Sequence, residues 1–264
     1  MRSFFRTGLL SVTFRSLEPE AIIDLVLENG LESIEWGGDV HVLPGELKRA
    51  EAIGRQTREA GLAVSAYGSY YKFEDIDPRA TESGPTLDAI LDTTEALGAR
   101  TIRIWPGGTG SEEATESWRE AVVERTQEFA DRAARRKLEL GFEFHSHSLT
   151  DTAQSTVALL EAIDRKNVSC FWQTNRGVPY EEVISGLKQL TDYITNVHCH
   201  HLLEDQTPPF ELMEEGEDQW REFLGILKES GRPHFVSIEF VKNGSLESFR
   251  RDAATLKRLC SELG

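Results

Sequence analysis

Short apolar runs alternate with longer amphipathic stretches eight times along this chain, and that rhythm leaves few folds open. The pattern predicts strands at Gly8 to Phe14, Ser33 to Trp36, Ala63 to Tyr67, Thr101 to Trp105, Leu138 to His147, Val168 to Gln173, Ile194 to His200 and His234 to Phe240. Helices are expected over Glu18 to Asn29, Gly45 to Ala60, Thr86 to Leu97, Glu112 to Lys137, Thr150 to Ile163, Tyr180 to Leu190, Asp218 to Ser230 and Leu246 to Leu263. Pro19 in a tolerated first-turn position and glycines at 30, 61 and 98 punctuate the series. Alternating β and α elements imply a parallel sheet covered by helices. Eight pairs imply an α/β fold closed as a single (β/α)8 TIM barrel, and such barrels need about 250 residues. The 264 residues here therefore suit one domain over 1–264. An open doubly wound sheet would carry a glycine-rich turn after its first strand, and LSVTFRSLEP has none.

Composition narrows the partners. With 45 acidic against 29 basic residues the formal net charge is -16, which repels phosphate backbones and anionic bilayers. Neither nucleic acid nor a membrane is expected as a partner, and no stretch approaches the ~20 apolar residues of a membrane span. The apolar run near the N-terminus is short and closed by Arg15 without a small-residue cleavage site, so it reads as a strand and not a signal peptide. Three widely spaced cysteines, Cys170, Cys199 and Cys260, form neither a disulfide framework nor a zinc-ribbon pattern and fit a reducing cytoplasm.

Side chains alternate with period two along a strand, so the apolar set facing the helices identifies the set facing the barrel axis. Ile34 outward turns Glu35 inward; Ile102 and Ile104 do the same for Arg103. Phe142 and Phe144 leave Glu143 and His145 inside, and Trp172 leaves Gln173. Val197 and Cys199 leave His198 and His200; Ile238 and Phe240 leave Ser237 and Glu239. Uncompensated buried charge costs roughly several kcal/mol, so this lining needs internal ion pairs, water or a bound cation. Arg103 with Glu35 reads as an internal salt bridge. Glu143, Gln173, His198 and Glu239 come from the fifth to eighth strands in succession, and active sites in such barrels sit where the strands end. Two carboxylates, an imidazole and an amide oxygen converging on one rim suit a divalent metal. A metal-free hydrogen-bonded network is the alternative.

Five segments carry a more specific signal: IEWGGDVHV (34–42), GFEFHSHSLTDT (141–152), FWQTNRG (171–177), NVHCHH (196–201) and SIEF (237–240). In order and strand placement they resemble the xylose isomerase-like barrel superfamily of sugar isomerases and epimerases, which includes inosose dehydratases and endonuclease IV. The resemblance implies a metal-dependent isomerase or epimerase acting on a sugar, sugar acid or polyol, and is compatible with a homo-oligomer. The family's ligands, a Glu, an Asp, a His and a Glu on strands five to eight, fall on Glu143, Gln173, His198 and Glu239. His198 takes the ligand position over His200 because NVHCHH matches the family's N-V-H-x-K-D pattern, which puts His201 in place of the Asp. Gln173 in place of the Asp removes one negative charge, worth about 4 kcal/mol to a cation at ~4 Å and an effective dielectric near 20, before desolvation. Binding of the ion, Mn, Mg, Co or Zn, should weaken, and a metal-free sugar-binding barrel becomes an alternative.

By the same resemblance, Glu143 and Glu239 form an acid/base pair that moves a proton next to a metal-polarised carbonyl. Expelling a β-hydroxyl instead makes the enzyme a dehydratase. The substrate-facing set is Glu35, Trp36, His41, Tyr67, Arg103, Trp105, His145, Arg176, His200 and His201. Trp36, Tyr67 and Trp105 offer faces to sugar C–H groups, with ordinary packing as the other reading of each. PGGTG, after the fourth strand, is a candidate phosphate cradle. A nuclease of the endonuclease IV kind needs more His and Asp ligands and a basic face.

Overall fold

Eight parallel strands close on themselves in the computed structural model, which describes residues 4–73, 85–203, 207 and 209–264. They run β1 (Phe5–Leu10), β2 (Ser33–Gly37), β3 (Ala63–Lys72), β4 (Thr101–Trp105), β5 (Glu139–Glu143), β6 (Val168–Trp172), β7 (Ile194–Cys199) and β10 (His234–Ile238), the last pairing back onto β1. Around them lie α1 (Pro19–Glu28), α2 (Leu47–Glu59), α3 (Leu87–Leu97), α4 (Glu116–Arg135), α5 (Ala153–Ile163), α6 (Tyr180–Leu190), α7 (Glu217–Glu229) and α8 (Leu246–Leu263). Between β7 and α7 a two-stranded ribbon, β8 (His201–Leu202) with β9 (Phe210–Glu211), projects from the rim. The expected (β/α)8 barrel is the observed fold. Parts of two predicted irregular segments, 74–84 and 204–206 with 208, lie outside the described residues.

The outward strand residues predicted from alternation form the core. Ile34, Ile102, Phe142, Trp172, Val197 and Val236 are all buried in one apolar cluster with residues of the helices. Each such large side chain, fully buried, contributes about 1.5–3 kcal/mol. Helix starts are locally encoded: the Thr86, Thr115, Thr152 and Ser245 side chains each accept a hydrogen bond from a backbone amide three residues on. No helix among the described residues is long and apolar enough to cross a membrane.

Three strands depart by more than two residues from the expected bounds, and β5, which ends at Glu143 and not at His147, is described with the site. β1 begins earlier, at Phe5, and Ser11–Phe14 is a 3-10 turn instead of its continuation. Closure decides this, since Gly8 and Leu9 must pair with Ser237 and Ile238 on one side and with Ser33 and Ile34 on the other. β3 runs on to Lys72, past the predicted end at Tyr67, because Tyr71 and Lys72 pair with Ile104 and Trp105 beyond a register shift. That shift contains Tyr70, a non-glycine residue with φ of 57°. Inside the barrel Gly68 is a required vacancy: a Cβ there would lie 2.6 Å from Arg103 Nη2.

The ribbon is tied back by α8. Asp252 accepts a hydrogen bond from the Met213 amide (2.9 Å), anchoring the turn Met213–Gly216 that follows β9. Burial pushes the Asp252 carboxyl up to about 7, with the Met213 hydrogen bond working against the shift. An acid raised above its unfolded value binds more protons when folded, so its contribution to stability declines as pH climbs from ordinary carboxylate values through about 7. Asp252→Asn should remove this slope. Its Tm relative to the parent should rise between pH 4 and pH 7 and stay higher by a few degrees at pH 8, at roughly 2–4 °C per kcal/mol for a chain of this size. Parallel Tm profiles for the two proteins would contradict this account.

Candidate metal centre and active site

The inward side chains of β2, β4, β5 and β7 make one continuous polar cluster. Arg103 Nε donates to Glu35 Oε1 (2.6 Å), and Arg103 Nη1 donates to Glu143 Oε2. Glu35 Oε2 lies 3.0 Å from His198 Nε2. A carboxylate only accepts, so Nε2 carries the proton and Nδ1 is the ring nitrogen left to face the rim. That Nδ1 is buried, has no hydrogen-bond partner among the described residues, and lies 3.6 Å from Glu239 Oε2.

Ligand atoms from Glu143, His198 and Glu239 all lie within 4.8 Å of one another, and all three residues are buried. Two carboxylates around an orphaned imidazole nitrogen fit a divalent cation. Glu35 behind His198 completes the arrangement that orients metal-binding imidazoles, a carboxylate taking the other ring N–H.

Charge is unevenly shared in this cluster. Burial opposes ionisation of Glu35, but the His198 ring and the Arg103 guanidinium outweigh it and hold the carboxyl down at about 2. Burial likewise opposes a charged His198, yet Glu35 and Glu239 raise its pKa above the usual imidazole value. Glu239 has less help: burial pushes it up to about 7, with His198 pulling down and Glu143 pushing up. Burial brings the neighbouring His200 down to about 4, so its ring is neutral. His200 Nε2 sits 3.3 Å from the Thr174 carbonyl, and Nδ1 lies 3.8 Å from Glu239 Oε2.

Gln173 stands beside the ligand set in a donor's role. Its Nε2 donates to Glu143 Oε1 (3.0 Å) and to the Phe144 carbonyl (3.1 Å), so the amide oxygen would face a cation only after the amide turns over. This corrects the expectation of an amide oxygen already in place. The cause is Glu143, an acceptor-only group whose second oxygen needs a donor once Arg103 holds the first.

A cavity of about 170 Å³ opens above the ligands, lined by Glu143, Gln173, His200 and Glu239 with His145, Arg176 and Phe210 at its mouth. His145 and Arg176 are therefore placed as expected, at the entrance. His145 is exposed, however, because β5 stops at Glu143 and the chain turns back, Thr150 Oγ1 donating to the Glu143 carbonyl. Phe210 was not singled out from the sequence. The ribbon brings it edge-on to His200, with ring centroids 5.7 Å apart, and no local pattern announces that contact.

Other sequence expectations change as well. Trp36 points outward, its indole N–H donating to Thr57 Oγ1 (3.2 Å) on α2, and Tyr67 points outward with its hydroxyl donating to the Val42 carbonyl (2.9 Å). Both are core residues, as the parity of their strands requires. His41 is buried between Ser11 Oγ (3.0 Å) and the Leu17 carbonyl (3.1 Å), holding two loops together. His201 lies on β8 against Gly216 and lines an adjoining cavity of about 310 Å³ with Tyr180, Trp220 and Phe223, which shares Arg176 and His200 with the first. Arg103 is 1% exposed and tied to two carboxylates through Nε and Nη1, while its buried Nη2 has no hydrogen-bond partner among the described residues. Trp105 sits over it, 4.8 Å from the guanidinium carbon to the ring centroid.

A barrel with buried ligand side chains at the C-terminal ends of its strands defines a class, and the sequence as a whole agrees with it. The chain belongs to the xylose isomerase-like TIM barrel family, whose pattern matches residues 23–259. It is 23% identical over 215 residues to a 3-dehydroshikimate dehydratase of Bacillus anthracis, covering 75% of this chain and 69% of that one. The crystal structure of the probable 3-DHS dehydratase AsbF from Bacillus anthracis superposes with a TM-score of 0.80 at 19% identity, covering 96% of this chain and 98% of that one. A xylose isomerase-like TIM barrel protein from Mycobacterium smegmatis, solved in complex with magnesium, gives 0.76 at 17% identity over 100% of both chains. At these identities the structural likeness speaks for the fold.

Two substitutions test the centre. Glu35→Gln should weaken Mn²⁺ binding by about 10–100-fold, the usual effect of removing the group that orients a ligand histidine. Gln173→Asp should tighten Mn²⁺ binding by at least about tenfold while lowering the Tm of the metal-free protein, since it sets a second carboxylate beside Glu143. Unchanged affinity in both variants, measured by calorimetry, would place the ion elsewhere.

Proposed function

We propose that this chain is a divalent-metal-dependent enzyme that enolises a small polyhydroxylated carbonyl compound, a sugar, sugar acid or related polyol, and returns it as an isomer or epimer. The observation that carries this reading is the orphaned His198 Nδ1 set between two buried carboxylates under an open cavity. Glu143, His198 and Glu239 would hold an ion of the Mn, Mg, Co or Zn kind. Bound there, it supplies Lewis acidity that lowers the pKa of the C–H beside a carbonyl.

The sequence places Glu143 and Glu239 on an equal footing as an acid/base pair, but their surroundings differ. Glu143 accepts from both Arg103 and Gln173, and protonating it would break one of those contacts. Among the described residues no such clamp holds Glu239, and before any ion binds burial raises its carboxyl to about 7. Glu239, the freer of the two carboxylates, is the proton carrier, and Glu143, held by Arg103 and Gln173, stays in place as a ligand. His198 keeps its orientation through Glu35, and neutral His200 fills the space behind Glu239. Phe210 and His145 narrow the mouth against water.

One dominant base also fits dehydration, and the 3-dehydroshikimate dehydratase relative favours this second reading. Here Glu239 takes the proton from the carbon beside the carbonyl and passes it to the departing β-hydroxyl. A C–H and a C–O bond break, a C=C bond forms and water leaves.

The test is a panel of ketoses and keto acids in D₂O with Mn²⁺-loaded protein. Deuterium should appear at the carbon beside the carbonyl, and Glu239→Gln should slow its uptake by about 10²–10⁴-fold. Glu143→Gln should act mainly through weaker metal binding. An ultraviolet-absorbing enone product assigns the dehydratase; a shifted or inverted hydroxyl assigns the isomerase. Metal-loaded protein that exchanges no proton with any member of the panel would sink the proposal.

A further inference from the structure

The end of β3, Trp105 with the loop after β4, and the loop after β5 line a second cavity of about 280 Å³ on the same rim as the metal cavity, and His145 lines both. The proton chemistry above makes no use of it. Its wall carries Lys72, His145 and His147, the hydroxyls of Ser146 and Ser148, and the Gly107–Gly108 turn. In a chain with 45 acidic residues against 29 basic ones, no Asp or Glu among the described residues lines this cavity. The ammonium of Lys72 lies over the Trp105 ring, 5.6 Å from its centroid, and both residues face the cavity. His145 Nδ1 is 2.7 Å from the Ser146 carbonyl and donates to it, which fixes the ring at the boundary between the two cavities.

The backbone here is also under constraint. Three residues lining the cavity have positive φ: Tyr70 at 57°, Gly107 at 98° and His147 at 58°. Phe240, across the adjoining metal cavity, is a fourth at 55°. Non-glycine residues hold such conformations only where the surroundings demand them, and they cluster at ligand clamps. Gly107 tolerates no side chain, since a Cβ there would meet the Trp118 ring at 2.5 Å.

We propose that this cavity is a subsite for an anionic group, a carboxylate or a phosphate, on the same substrate whose carbonyl lies at Glu143, His198 and Glu239. The Lys72 ammonium, the His147 imidazole and the Ser146 hydroxyl, beside a turn with no side chains at Gly107 and Gly108, are groups that suit such an anion. The substrate is then a sugar acid or a sugar phosphate and not a neutral sugar. This proposal rests on the reading of the metal centre as a carbonyl site.

Titration of the metal-free full chain with inorganic phosphate and, separately, with acetate tests it, because neither anion then has a cation to ligate. At least one should bind saturably at millimolar concentration. Lys72→Gln should weaken that binding by about tenfold, as loss of a charge-assisted contact does. His147→Asn, which keeps a residue tolerant of positive φ, should also weaken it. Mn²⁺ uptake should be unchanged in both variants, which also reports that they are folded. Preference for phosphate assigns a phosphate ester, and preference for acetate assigns a sugar acid. No saturable binding of either anion, or binding indifferent to both substitutions, overturns the subsite even if Mn²⁺ binds. Anion binding with these responses in a protein that takes up no Mn²⁺ keeps the subsite and removes the metal reading.

Discussion

A guanidinium shared between two carboxylates at the centre of the barrel is the interaction from which the rest of the site follows. Arg103 on β4 reaches Glu35 on β2 and Glu143 on β5, and the three side chains are at most a few per cent exposed. Leaving one such buried charge without its partner costs about 3–5 kcal/mol, so the three positions are bound to one another. The barrel makes room for them by omitting a side chain at Gly68 and by covering the guanidinium with Tyr70 and Trp105. One cation then pairs with two of the acids. The third, Glu239, is the one whose proton is held near neutrality.

That division of labour explains why the rim combines rigid and exposed parts. Below, Glu35 orients His198 through a buried contact, and Gln173 completes the hydrogen bonding of Glu143. Above, β5 ends at Glu143 and hands over to a turn with His145 and His147 in solvent. Tyr70, His147 and Phe240, three of the six non-glycine residues with positive φ among the described residues, lie at this upper level. The apolar packing that defines the barrel lies outside the strands and is indifferent to what lines the mouth. Chemistry in such a fold changes at the strand ends without touching the core.

Much of this was legible along the chain. Alternation of apolar and polar residues correctly turned Glu35, Arg103, Glu143, His198, His200 and Glu239 inward, because the facing of a strand residue depends only on its neighbours two places away. The same parity sends Trp36 and Tyr67 outward. Reading them as substrate platforms gave their aromatic character more weight than their position. His41 and His201 had no such guide, since neither lies within a predicted strand and their contacts come from Ser11, Leu17 and Gly216.

The sequence by itself determined the eightfold plan, the inward polar set and the membership of Glu143, His198 and Glu239 in one rim. All of these follow from local periodicity and from the order of elements. Only the tertiary structure decided that Arg103 clasps Glu143 as well as Glu35, and that Gln173 offers its nitrogen and not its oxygen. It also decided that β5 stops short of His145 and that Phe210 closes over His200. Each of these depends on distances between strands or loops far apart in the chain, and those are set only when the barrel closes and every buried donor must find an acceptor.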